Sequence, residues 1–337
     1  MPDVAIAGFA KAPNVRETDG TTNGVEMLVP IFAEVFAQTG LSKQDIGFWC
    51  SGSSDYLAGR AFSFIAAVDA IGAFPPIHES HVEMDAAWAL YEAWLKIRTG
   101  EVETALVYGF GKSSAGQLRR VLALQLDPYV VAPLWPDSIS IAGIQARLGL
   151  EAGLWSEKDL AEVAARHRGV EAAELLDTPY FADPLRRHDI APITDGAAVV
   201  ILSTVERARD IVDRPAVITG IEHRVDSPVL GARDLTRSPS TEAAAAALDL
   251  DGADLAELHA PFTHQELILR TALKLDDGVK INPSGGALAA NPMFSAGLAR
   301  IGEAAARIHR GESRKAVAHA TSGPALQQNL VTVLEAR

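Results

Sequence analysis

Four stretches of this chain carry residue types whose spacing could do chemistry. Ile281-Asn-Pro-Ser-Gly-Gly286-Ala-Leu-Ala-Ala-Asn291-Pro292 is a glycine-rich loop ahead of a helix. Such a loop lets backbone N–H groups approach a ligand, and a helix N-terminus favours negative charge. Glu257-Leu-His259-Ala-Pro-Phe-Thr-His-Gln-Glu266 sets His259 at the end of a strand and His264 and Glu266 at the start of a helix. A histidine so placed can titrate near neutral pH as acid or base, although a backbone-satisfied histidine reads the same way. His81-Val-Glu83-Met-Asp85 opens a helix, where carboxylates are also ordinary caps. Cys50, in Phe-Trp-Cys-Ser-Gly, ends a strand with no His, Lys or Arg beside it in sequence, which favours a buried structural thiol.

The elements that must position these residues follow from periodicity. Val82 to Gly111 contains an almost continuous apolar set (Met84, Ala86, Ala87, Ala89, Leu90, Ala93, Trp94, Ile97), predicting a helix buried on more than one side. Gly100 ends it, and Thr104–Tyr108 reads as a buried strand. Ser295 to Gly323 repeats the grammar: a small-residue helix, Gly311-Glu, a strand and a glycine. A second pair, Asp45 before one strand and Asp254 before another, lies at nearly the same offset. Two such offsets predict two copies of one α/β unit, each with a central helix.

In chain order the sequence predicts a strand over Pro2–Ala10, a polar loop over Lys11–Thr22, a helix over Val25–Gln38 and a strand over Ile46–Cys50. A helix over Phe62–Ile71 precedes the first central helix. From about 112 to 193 the rhythm breaks into a proline-bearing insertion with helices over Ser138–Leu148 and Glu157–Ala173. Such an insertion suits a substrate-contacting region, or equally an ordinary packing subdomain. The expected halves are 1–209 and 210–337, the second with helices over Thr241–Leu248 and His264–Leu275.

The chain has 337 residues and a net charge of −13, which argues against nucleic acid or an anionic membrane as the main partner. It has no 18-residue apolar run and no basic-then-apolar leader, so a soluble cytoplasmic protein is expected. A single cysteine excludes an intramolecular disulfide and a cysteine-rich zinc site, and no metal is expected.

Taken in order, these motifs resemble the thiolase superfamily, most closely the sterol-carrier-protein-type and actinobacterial lipid-transfer thiolases. The family's NPSGG stands as Asn282 to Gly286, followed by Asn291-Pro292 and Ala296-Gly297. Its HDCF-S-T-N-E-L-I segment stands as His259 to Ile268, its DGAA strand as Asp195–Ala198, and its ALQHN ending as Ala325 to Asn329. The resemblance spans essentially the whole chain. It implies a duplicated αβαβα five-layer thiolase fold with an inserted loop subdomain, a homodimer, and a CoA thioester as substrate with no covalently bound cofactor.

The departures fall on the reactive groups. In thiolases a cysteine opens the first central helix, and the matching position here is Glu83, a poor acyl acceptor. The histidine of the family's GHP is Asn291, which can donate to a thioester oxygen but cannot be a base. The family's glycine-rich turn after Asn329 is missing. The resemblance therefore implies a site of His259, Glu83 and Asn291, with Ser284, Gly285 and Gly286 against the CoA thioester. Its expected chemistry is aldol or retro-aldol cleavage of a 3-hydroxyacyl-CoA, as in steroid side-chain degradation, with His259 or Glu83 as base. Related lipid-transfer proteins work with a small OB-fold, zinc-ribbon partner. The alternatives are a non-catalytic thiolase-like subunit of an acyl-CoA-handling complex, and an acetyl-CoA acyltransferase.

Overall fold

Small residues at the middle of the molecule decide its architecture. In the computed structural model, which describes residues 1–19, 23–55, 67, 68, 70, 72 and 76–337, two helices lie between the halves of one sheet. The first central helix is Ala86–Arg98 and the second Ala296–His309. Ala86, Ala87, Ala89 and Ala93 pack with Leu298, Ile301, Ala304, Ala305 and Ile308 in the largest core cluster. At Gly302 an added methyl would overlap the ring of Phe9, so only glycine lets the second helix approach β1 (Val4–Lys11). Burying residues such as Leu90, Ile97 and Ile301 contributes roughly 1.5–3 kcal/mol each.

The strands reveal the duplication that the sequence offsets suggest. The first half contributes β1, β2 (Phe48–Gly52), β3 (Glu79–Val82), β4 (Thr104–Lys112) and, beyond the hairpin β5 (Tyr180–Ala182) and β6 (Leu185–Arg186), β7 (Ile193–Thr204). The second contributes β8 (Ala216–Val225), β9 (Leu255–Leu258), β10 (Lys280–Ile281), β12 (Lys315–Ser322) and β13 (Gln328–Ala336). The order along the sheet is β10-β9-β12-β13-β8-β1-β7-β4-β2-β3, with β11 (Asn291–Pro292) beside β7. Read outward from the β8–β1 junction, each half runs first, fifth, fourth, second, third strand, with the fifth antiparallel to its neighbours. The second strand of each half is parallel to the third and the fourth.

Outer helices complete the layers. Leu28–Thr39 covers one side of the first half, and Pro239–Ala246 with Thr263–Ala272 covers the second half. Helix, sheet, central helices, sheet and helix make the five layers expected. Gly100 and Gly311, aligned by the sequence repeat, both end their helices at positive φ, +77° and +76°.

Between β4 and β7 the chain forms Leu118–Leu124, Ser138–Glu151, Glu157–Arg168 and Ala172–Leu176. The expected helix to Ala173 stops earlier because Gly169 adopts φ +65°. In the second half only residues 323–327 join β12 to β13. The helix Val205–Ile211 crosses position 209. The expected helix Phe62–Ile71 falls mostly outside the described residues, as do Thr21 and Thr22 of the first loop.

Candidate active site at the ends of the central helices

Alternation along β9 separates two environments. Ala256, Leu258 and Ala260 join the outer apolar cluster, whereas Leu255 joins the core around the central helices and Glu257 meets Arg300 there. His259 follows the strand with 7% exposure. The Thr321 amide donates to its Nδ1 at 3.4 Å, and its Nε2 lies 2.8 Å from Asn291 Oδ1. With Nδ1 an acceptor, Nε2 carries the proton and donates to Asn291. Burial pushes the His259 pKa down; Asp85 opposes this, and Arg300 acts with it. His259 in this state is a neutral donor that fixes Asn291, whose own NH2 group is turned away from the imidazole.

Asn291 is held by its backbone. Its N–H donates to Thr194 Oγ1 at 2.9 Å, and β11 runs parallel to β7. The following residues lie flat on β4, where a methyl on Gly109 or Gly111 would overlap the carbonyl oxygen of Phe294 or Met293. The Met293 amide donates to Ser113 Oγ at 3.3 Å. This loop also touches the first central helix, because the Ala86 amide donates to the Phe294 carbonyl at 2.9 Å.

The helix is opened by Asp85 rather than by Glu83. Asp85 is the N-cap, accepting from the Ala87 amide at 2.9 Å. It also accepts from Gly297 N at 2.9 Å and Leu298 N at 3.0 Å, so one buried carboxylate caps both central helices. Glu83 stands two residues earlier with its side chain 58% exposed, and His81 Nε2 lies 3.4 Å from its Oε2. Among the described residues no hydrogen bond or ion pair joins Glu83 to His259 or Asn291. The loop that carries Asn291 and the start of the first central helix meet through the Ala86–Phe294 hydrogen bond.

The glycine loop is committed to internal partners. Ser284 donates its amide at 3.0 Å and its hydroxyl at 2.6 Å to the buried Glu257 carboxylate, which also takes Arg300 at 3.1 Å. The Gly285 amide donates to the Asn282 carbonyl at 2.9 Å, and that of Gly286 to Ser284 Oγ at 3.3 Å. Asn282 accepts from Leu258 N at 2.6 Å and donates to Glu266 at 3.0 Å. Glu266 in turn takes Arg166 and His167 from the segment between β4 and β7. Thus two buried carboxylates, Glu257 and Glu266, hold the loop that leads to Asn291.

Cys50 is fully buried, as expected. Its thiol faces Glu92 Oε2 at 3.8 Å, and burial with the nearby Glu92 and Glu79 pushes its pKa far up, the opposite of an activated nucleophile. Sequence reasoning missed His319, whose Nε2 lies 2.9 Å from Asn329 Oδ1. It sits inside an apolar strand, and only its pairing with Asn329 across β12 and β13 distinguishes it.

A five-layer duplication with paired central helices is the architecture of the thiolase fold. An Ltp2–ChsH2 (DUF35) aldolase structure matches it with a TM-score of 0.79 and 16% identity, over 99% of this chain and 98% of that chain. The Bacillus anthracis acetyl-CoA acetyltransferase matches with a TM-score of 0.78 and 18% identity, over 100% and 99%. In sequence, the acetyl-CoA acetyltransferase of Methanothermobacter thermautotrophicus is 30% identical over 171 residues, 43% of this chain and 44% of that enzyme. The aligned stretch is thus less than half of that relative. No protein-family model matches the sequence. The chain thus has the thiolase fold. No described helix is long and apolar enough to cross a membrane.

Proposed function

We propose that this chain binds acyl-CoA thioesters and cleaves a 3-hydroxyacyl-CoA by retro-aldol chemistry, without an acyl-enzyme. The observation that carries this reading is the His259–Asn291 bond, which leaves the Asn291 NH2 group turned away from the imidazole, while Cys50, the single cysteine, is buried. The exposed Glu83 carboxylate takes the proton of the 3-hydroxyl. The C2–C3 bond breaks, its electron pair passes to the thioester as an enolate, and a carbonyl product leaves. Asn291 donates to the enolate oxygen, and Glu83 returns the proton to C2, giving a shorter acyl-CoA. His259 serves as a positioning residue rather than the base.

A cavity of about 440 Å³ lined by Gln117, Arg119, Arg120, Trp135 and Asp137 suits the phosphates and adenine of CoA. It follows Ser113 in the chain, which already touches the Asn291 loop. Ser284, Gly285 and Gly286 then wall the thioester end, since their amides have partners of their own. The likeness to the Ltp2–ChsH2 (DUF35) structure supports a DUF35-type partner, and β3 at the end of the sheet suits pairing in a homodimer.

Calorimetric titration with propionyl-CoA and with a branched acyl-CoA tests binding, and product analysis with a 3-hydroxyacyl-CoA tests cleavage, each with and without the DUF35-type partner. Saturable binding with release of a carbonyl product supports the reading, and no binding under any condition ends it. The second reading, a thiolase-like subunit without chemistry of its own, is favoured by Asp85, whose carboxylate already fills the positive ends of both central helices.

A further inference from the structure

Ser51, His81 and Glu83 form a chain of contacts outside the His259–Asn291 pair. Ser51 lies opposite His81 in the parallel register of β2 and β3, and its hydroxyl, fully buried, is 3.0 Å from His81 Nδ1. The other ring nitrogen faces Glu83 Oε2 at 3.4 Å. A lone pair on Nε2 would repel that carboxylate, so Nε2 carries a proton. With one proton on the ring, Nδ1 is the acceptor and Ser51 Oγ–H the donor. Hydroxyl, imidazole and carboxylate therefore point one way, from the buried strand to the exposed Glu83.

We propose that Ser51 and His81 are positioning residues for Glu83, holding its carboxylate in one orientation. This rests on the reading of Glu83 as the base of the retro-aldol step. An exposed glutamate beside a helix otherwise samples several rotamers, and a donor fixed from the sheet removes that freedom. Among the described residues, the charged groups about His81 include Glu83 itself, Glu79 two residues back on β3, and Glu92, which approaches Glu79 from the first central helix.

The test is nitrogen-15 NMR of the His81 ring in the full-length chain. The wild type is expected to show the Nε2–H tautomer. Glu83→Gln, at an exposed position that leaves the fold intact, is expected to move the His81 Nε2 resonance, because it removes the carboxylate that faces that nitrogen. Ser51→Ala is expected to mix the tautomers. In the cleavage assay His81→Ala should lower kcat about tenfold or more at unchanged KM, while His81→Gln, which keeps a donor, recovers part of the loss. An Nδ1–H tautomer in the wild type, or a His81 Nε2 resonance indifferent to Glu83→Gln, overturns the proposal. The NMR result decides the contact chain even where no turnover is seen; absence of turnover in the wild type, alone and with the partner, overturns the retro-aldol reading instead.

Discussion

Asn291 and His259 act as one unit, because the imidazole proton fixes which way the amide faces. Asn291→Ala is expected to lower kcat for 3-hydroxyacyl-CoA cleavage by about 10²–10³-fold, the cost of losing one preorganised donor to a developing oxyanion. Glu83→Gln should cost about 10²–10⁴-fold, as for loss of a positioned base, and steady-state kinetics with unchanged thioester affinity checks both. The buried histidines make a separate prediction about stability. Burial lowers the pKa of His264 and of His319 to about 3, and lowers that of His259 as well. Each is neutral when folded but binds a proton when unfolded below about pH 6.5. Their contribution is therefore complete above that pH and is lost as pH falls toward 3, by up to about 1.4 kcal/mol per pH unit for each histidine. Urea midpoints measured from pH 7 to pH 4 should fall steadily, and a flat profile would contradict this. Of these residues, His259, Asn291 and Glu83 stand out in the sequence because they sit in motifs, and the structure brings the first two into contact. His319 was not, since its partner Asn329 comes from the neighbouring strand.

Among the elements, the paired central helices were readable from their apolar circumference and from the glycines that end them. Their caps were not. Asp85 looks like an ordinary first-turn carboxylate, and nothing local announces that it accepts from Gly297 and Leu298, more than two hundred residues away. Asp85→Ala leaves amides of both helices without their acceptor, and is expected to destabilise the chain by about 3 kcal/mol or more, measured by denaturant unfolding. β3 was also missed: Glu79-Ser-His-Val82 has no apolar alternation, because a strand at the end of the sheet is half exposed. The glycine loop was recognised, but its role was read from its composition. Glycines before a helix suggest a ligand, whereas the buried Glu257 and Glu266 show that much of the loop's hydrogen bonding is used to hold its own shape.

At the scale of the molecule, the duplication was visible as two sequence offsets and is expressed as one strand order repeated across the β8–β1 junction. We place the boundary of the halves just after the helix Val205–Ile211, and read residues 113–192 as the insertion between the fourth and fifth strands of the first half. Arg166 and His167 of that segment grip Glu266 of the second half, which ties the insertion to the loop carrying Asn282. If β3 pairs across a homodimer as proposed, light scattering should give twice the 35.7 kDa chain mass. The central claim is thioester chemistry without an acyl-enzyme. Its most direct test is to incubate the chain and a DUF35-type partner with a 3-hydroxyacyl-CoA, then measure the intact protein mass and the small-molecule products together. Retro-aldol cleavage leaves an unmodified chain with a carbonyl compound and a shortened acyl-CoA; an acyl adduct on the chain, at Cys50 or elsewhere, is the opposite result and rules it out.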